Sequence, residues 1–131
     1  MGAVVVAVIV GLVAYSPPIG DVPVSLRNYS IAMPATLSAG SHTFGVTNDA
    51  KQPHELVVFR TDLPADSLPV DENGDVIEDS PELKTVADSG TDLAGGVTRA
   101  IPAKLDPGHY VAVCNLPKHY GLGMYTNLTV K

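Results

Sequence analysis

The chain has 131 residues, 45% of them hydrophobic, and a formal net charge of −6; it holds enough apolar material for one domain with a core, which excludes disorder throughout. Its single Cys excludes an internal disulfide framework. Fourteen Asp plus Glu against eight Lys plus Arg, with no basic tract, argue against nucleic acid as a partner.

The N-terminal segment differs from the rest. Residues 3–15, AVVVAVIVGLVAY, are uncharged and end near Pro17-Pro18. As a helix this stretch would span about 20 Å, short of the ~30 Å hydrocarbon layer. It has the length of a signal-peptide apolar region, yet no Lys or Arg precedes it. Residues 1–19 read as an apolar leader or the remnant of a membrane anchor, with possible anchoring through residues 3–15. The alternative is a Val-rich buried strand. Residues 20–131 form the working domain.

That domain reads as strands. Val22, Val24 and Leu26 alternate with Pro23, Ser25 and Arg27, and the segment runs on through Ile31. Further strands are expected over His42–Asn48, Leu56–Arg60, Val97–Ile101, Tyr110–Cys114 and Tyr125–Val130. Ser38-Ala39-Gly40, Asn48-Asp49 and Asp106-Pro107-Gly108 supply turns between them. No apolar period of 3.6 persists, so the class is all-β, a sandwich or barrel.

Residues 62–96 break this rhythm. They carry ten acids against Lys84 alone, a local charge of −9 on a body of +3. Pro64, Pro69 and Pro81 mark an acidic insert between strands, with one helical turn near Pro81–Ala87. Asp71, Asn73, Asp75, Ile77, Asp79 and Glu82 match the ligand positions of a calcium loop, but Val76 stands where such a loop needs Gly. A solvated acidic loop is the default reading.

The chemistry lies near the C-terminus. Cys114, His119 and Met124 are spaced five apart between two expected strands, and His54 opens the Leu56–Arg60 strand after Pro53. A thiolate, two imidazoles and a thioether form a soft donor set that suits a His₂Cys copper site with a weak axial Met, and does not suit Mg, Ca or Mn. One short loop can present three ligands while a neighbouring strand brings the fourth. Strand parity places Tyr110, Ala112 and Cys114 on one face, Met124 with Thr126, Leu128 and Val130, and His54 with Leu56 and Val58.

The pattern Cys114-x₄-His119-x₄-Met124, with Pro53-His54 upstream, resembles the cupredoxins, the small type 1 blue copper proteins. Its loop spacing is closest to that of rusticyanin- and sulfocyanin-like members. The resemblance covers Val22–Lys131 and includes Met33-Pro34, the Phe44–Asn48 strand and the Pro107–Tyr110 turn. It implies a Greek-key β-sandwich holding one Cu(I)/Cu(II) ion through His54, Cys114, His119 and Met124. It also implies single-electron transfer with redox partner proteins, a cytochrome or a copper enzyme, docking near His119 on Leu116, Pro117, Tyr120, Gly121 and Leu122. Glu55 departs from the family pattern, which places Asn or another uncharged residue after the first His. Asn48 and the amides after Cys114 are candidates for hydrogen bonds near the site.

Other readings are weighed on the same residues. A Cys–His nucleophile would need a base aimed at the thiol and an oxyanion hole, and a Met in register fits ligation better. A dinuclear copper centre needs a second Cys, and multicopper enzymes need more His than His42 and His109 can supply, so the chain does not read as an enzyme. Those two histidines are expected to be exposed and structural, and Met33 to be packing. Copper delivery without electron transfer remains the alternative function. The expected setting is extracytoplasmic, and the domain is expected to be monomeric.

Overall fold

The computed structural model describes residues 2–3 and 19–131; the expected leader or anchor over residues 1–19 falls almost wholly outside the described residues. Among the described residues, nine strands form two mixed sheets. They are β1 (Val22–Arg27), β2 (Ser30–Ala32), β3 (Thr36–Leu37), β4 (Gly40–Asn48), β5 (Val57–Arg60), β6 (Lys84–Asp88), β7 (Thr98–Leu105), β8 (Gly108–Val113) and β9 (Tyr125–Val130). The first sheet runs β2-β1-β4-β7 and the second β3-β9-β8-β5-β6. β1 is parallel to β4, with Val22 opposite Phe44 and Leu26 opposite Asn48. β8 and β9 are an antiparallel pair joined by the loop of Cys114, His119 and Met124, with Val113 opposite Tyr125. Among the described residues no helix is long and apolar enough to cross a membrane.

Alternation in the strands builds the core. Val22, Val24 and Leu26 from β1 and Phe44 and Val46 from β4 meet Leu56, Val58, Tyr110, Ala112, Leu128 and Val130 from the other side of the sandwich. Cys114 and Met124 belong to this same cluster, so the parity reading places them correctly. Gly45 lets the chain cross over β4: a Cβ there would stand 1.7 Å from the Ile19 carbonyl oxygen, so only Gly fits.

The acidic insert differs from its sequence reading. Where a helical turn is expected near Pro81–Ala87, the chain forms strand β6, paired antiparallel to β5 with a register shift between Val58 and Phe59. Only Ala87 of this edge strand is buried, so its alternation is too faint to register. Charged Lys84 and Asp88 at its ends blunt an otherwise open sheet edge. The insert is also not merely solvated. Ala65, Leu68, Val76 and Leu83 cover the outer face of the second sheet, where they pack with Val57, Phe59, Val111, Val113 and Tyr120 as a second core. These apolar residues are spaced singly among acids and prolines, so no hydrophobic run announces them.

A candidate metal centre at the loop end of the sandwich

His54 lies between β4 and β5 and is held through its backbone. Its N–H donates to the Leu93 carbonyl at 3.1 Å, and the Leu93 N–H returns a bond of 2.8 Å to the His54 carbonyl. The closing end of the insert thus straps the first histidine. Across the loop, the Cys114 N–H donates to the Met124 carbonyl (3.1 Å) and the Met124 N–H to the His119 carbonyl (3.2 Å). A single 3₁₀ turn, Tyr120–Leu122, ends at Gly123, whose φ of 96° is left-handed. Gly adopts that geometry without steric cost and turns the chain back so that Met124 enters the core.

Three donor atoms converge. His54 Nδ1 and His119 Nδ1 are 3.2 Å apart, Cys114 Sγ is 3.8 Å from the first and 3.3 Å from the second. A triangle with those sides has a circumradius of about 2 Å, close to the ~2.0–2.3 Å bonds that imidazole nitrogen and thiolate sulfur make to zinc, a metal of similar size. The residues therefore fit a first-row metal ion at their centre. Among the described residues this trio is the cluster of His, Cys, Asp and Glu donors close enough to share an ion. Met124 is fully buried in the same core cluster as Cys114.

The surroundings prepare each donor. The Glu55 N–H donates to Cys114 Sγ at 3.3 Å. Burial pushes the Cys114 thiol pKa up, opposed by the amides of Glu55 and Leu116. Burial lowers the pKa of His54, with neighbouring His119 adding to the effect, and burial also lowers that of His119. Both imidazoles are thereby kept in the neutral form a metal requires. The Glu55 carboxylate accepts the Asn115 N–H at 3.1 Å, tying the strap to the ligand loop. Burial, followed by the charges of Glu78 and Asp88, pushes Glu55 up to about 7.

Several contributors are invisible in the sequence. Asn28 Oδ1 lies 2.8 Å from His54 Nε2. The Gln52 carboxamide nitrogen lies 3.1 Å from His119 Nε2. The Tyr29 ring stands edge-on to both imidazoles, with centroids 6.3 Å from His54 and 5.1 Å from His119. Asn48 fills its expected role indirectly: its amide donates to the carbonyls of Gln52 and Leu93, 2.9 Å each, and fixes the segment that leads into His54.

The insert grips the ligand loop as well. Asn115 exchanges side-chain bonds with the backbone of Val76 (2.8 and 3.0 Å) and donates to Glu78. The Lys118 N–H donates to Asp75 Oδ1 at 2.8 Å, and Lys118 holds a left-handed φ of 72°. The Tyr120 hydroxyl bridges Ala65 and Leu68. In the calcium-like stretch, Asp71 Oδ1 accepts the N–H groups of Asn73 and Asp75 and closes a turn.

His42 and His109 stay away from the cluster, but neither is freely exposed. His42 contacts Asp21 Oδ2 and the Ser38 carbonyl, each at 2.7 Å. His109 contacts the Thr61 carbonyl and Asn127 Oδ1 at 2.7 and 2.9 Å. Met33 packs against the main core, as expected.

Two sheets with a His₂Cys cluster and a buried Met at their loop end define a cupredoxin β-sandwich with the donor set of a type 1 copper site. Solved structures agree with that fold. Reduced auracyanin from the photosynthetic bacterium Roseiflexus castenholzii superposes with a TM-score of 0.60 at 21% identity, over 83% of this chain and 94% of that one. Auracyanin A, a blue copper protein from Chloroflexus aurantiacus, gives 0.54 at 21% identity over 83% and 99%. Rusticyanin from Thiobacillus ferrooxidans gives 0.53 at 21% over 83% and 76%. No protein-family model and no curated protein sequence matches the chain.

Proposed function

We propose that this protein is an extracytoplasmic carrier of single electrons, holding one copper ion through His54, Cys114, His119 and Met124. The observation that carries the reading is the convergence of two Nδ1 atoms and one Sγ on a common point, all in buried or half-buried residues. Copper bound there supplies a one-electron Cu(II)/Cu(I) couple.

The chain's part is to change little as the electron comes and goes. Cys114 is the strongest donor once deprotonated, and the amides that face its sulfur temper its charge. Met124, from the end of the same loop, would offer its thioether to copper as a weak donor and so tune the potential. His54 is strapped through its backbone, and the loop of Cys114 and His119 is tied to the insert, so the ligand geometry is fixed before metal arrives. That preorganisation favours a carrier over a delivery protein, which must release its ion.

His119 is the ligand nearest the surface. Pro117, Gly121 and Leu122 are exposed in its loop, and Leu122 is 56% exposed. This apolar rim suits a brief contact with a redox protein such as a cytochrome or a copper enzyme, below about 1,200 Å² of buried surface. No substrate bond is made or broken, so the reading is not enzymatic.

The test is to add Cu(II) to the reduced apoprotein and record visible absorbance and EPR. An intense thiolate-to-copper band and a narrow copper hyperfine splitting are expected, both lost in Cys114→Ser. A band that survives that substitution overturns the assignment. Reversible voltammetry of the loaded protein separates electron carriage from delivery.

A further inference from the structure

We propose that Arg99 is a positioning residue for His54: from the first sheet it closes the bulge between the two backbone fastenings that hold this histidine. The inference rests on the copper reading above, and Arg99 acts on the metal centre only through the chain beside His54.

The chain from Ser89 to Leu93 runs beside the chain from His54 to Leu56 and is fastened at both ends. At one end the Ser89 N–H donates to the Leu56 carbonyl at 2.8 Å, and Ser89 Oγ accepts the Leu56 N–H at 2.9 Å. At the other end Leu93, fully buried, exchanges both backbone bonds with His54. The spans between these fastenings are unequal. Glu55 alone separates His54 from Leu56, whereas Gly90, Thr91 and Asp92 separate Ser89 from Leu93. The surplus residues must arch outward, and Gly90 opens the arch with a left-handed φ of 77°. All three are exposed, so side-chain packing does not set the shape of the arch. A polar group has to do so.

Arg99 is that group. It lies on β7 opposite Val46, and its Nη1 donates to the carbonyls of Ser89 and Thr91 at 2.6 Å each. One nitrogen bonded to two carbonyls fixes their separation, and with it the register in which Leu93 meets His54. Such bonds from a charged donor are stronger than those between neutral groups. The guanidinium takes these carbonyls although Asp88 and Asp92 are close by in the chain. Among the described residues the ion pairs are His42 with Asp21 and Arg60 with Asp106. β7 belongs to the first sheet and β6, which leads into Ser89, to the second, so Arg99 ties the two sheets at the metal end. Asn48 Nδ2, donating to the Leu93 carbonyl at 2.9 Å, holds the same residue from β4.

The experiment compares the full-length wild type with Arg99→Met, which keeps the aliphatic stem and loses every donor, and Arg99→Lys. The ammonium of Arg99→Lys keeps the charge on a shorter, point-like donor, so an intermediate result is expected of it. Removing a group that orients a metal ligand weakens metal binding by about tenfold or more. Copper should therefore leave Arg99→Met roughly tenfold faster under a chelator, with a changed copper hyperfine splitting in EPR. In the metal-free proteins, hydrogen exchange of the Leu93 amide should accelerate in Arg99→Met beyond that of the β8 amides, which follow global stability. Leu93 exchange and copper loss equal to wild type in both variants overturn the proposal. So does a lower urea midpoint that speeds Leu93 and β8 exchange alike while copper loss and EPR stay unchanged, since Arg99 then only stabilises the sandwich. A wild type that forms no blue centre overturns the copper reading, and the Leu93 exchange still decides whether Arg99 fixes the chain beside His54.

Discussion

Met124 is fully buried just before β9, in the same core cluster as Cys114. As a weak donor its thioether would stabilise Cu(II) only slightly, so replacing it with a side chain of similar volume and no donor should favour Cu(I). Met124→Leu is expected to keep the intense thiolate band and raise the reduction potential measured by voltammetry, at a stability cost below about 1.5 kcal/mol. A second single-residue effect lies at the start of β1 and β4. His42 has a raised pKa, chiefly from the Ser38 carbonyl and then from the Asp21 carboxylate. Asp21 has a lowered one, chiefly from the Thr43 N–H and then from His42. The His42 contribution to stability is complete below its unfolded value near 6.5 and is lost as pH rises through its higher folded value. The Asp21 contribution is present above 3.8 and is lost as pH falls through its lower folded value. The difference in urea midpoint between the wild-type apoprotein and His42→Ala should therefore shrink from pH 6 toward pH 8. At this scale the converging donors are legible because Cys114 and His119 sit at a fixed interval in one loop and His54 lies just ahead of the apolar Leu56–Arg60 run. Asn28 and Tyr29, in the turn between β1 and β2, and Gln52, in the segment between β4 and β5, are not, because their contacts with the imidazoles exist only in the folded chain.

The strand elements were legible wherever alternation met a buried face, as in β1, β8 and β9. β6 escaped because an edge strand buries only Ala87. The insert escaped for a related reason: Leu68, Val76 and Leu83 are isolated in an acidic sequence, and their common destination on the back of β5 and β8 exists only in three dimensions. The insert thereby joins the second core to the ligand loop, and Tyr120 is the rivet. Its hydroxyl donates to the Ala65 carbonyl at 2.7 Å and accepts the Leu68 N–H at 3.1 Å, both buried. Tyr120→Phe leaves those two backbone groups unpaired and should lower stability by about 1–3 kcal/mol, read as a drop in the urea midpoint with the slope unchanged. Because the same residue begins the turn after His119, copper should also leave the variant faster under a chelator. A midpoint drop without faster metal loss would mean that the insert stabilises the sandwich without holding the loop.

Charge is distributed over the whole molecule in a way that composition alone hides. The −9 of residues 62–96 and the +3 of the remainder were readable from the sequence, but their positions relative to the metal centre were not. In the fold, Asp75 holds the Lys118 amide, Glu78 holds Asn115, and Asp92 precedes the Leu93 strap on His54. The acidic insert therefore flanks the end of the sandwich through which an electron would pass at His119. A negative field there attracts cationic reagents and repels anionic ones, over a Debye length of about 10 Å at 0.1 M salt. Oxidation of the Cu(I) protein by a cationic cobalt(III) complex should accelerate as salt is lowered, whereas oxidation by hexacyanoferrate(III) should slow. The double variant Glu78→Gln, Asp92→Asn should make both salt slopes shallower without altering the rates extrapolated to high salt. Stopped-flow traces at several ionic strengths read this directly. If the two oxidants share one sign of salt slope, the acids do not act at the electron-exchange end, and the insert's role reduces to covering the second sheet and clamping the ligand loop.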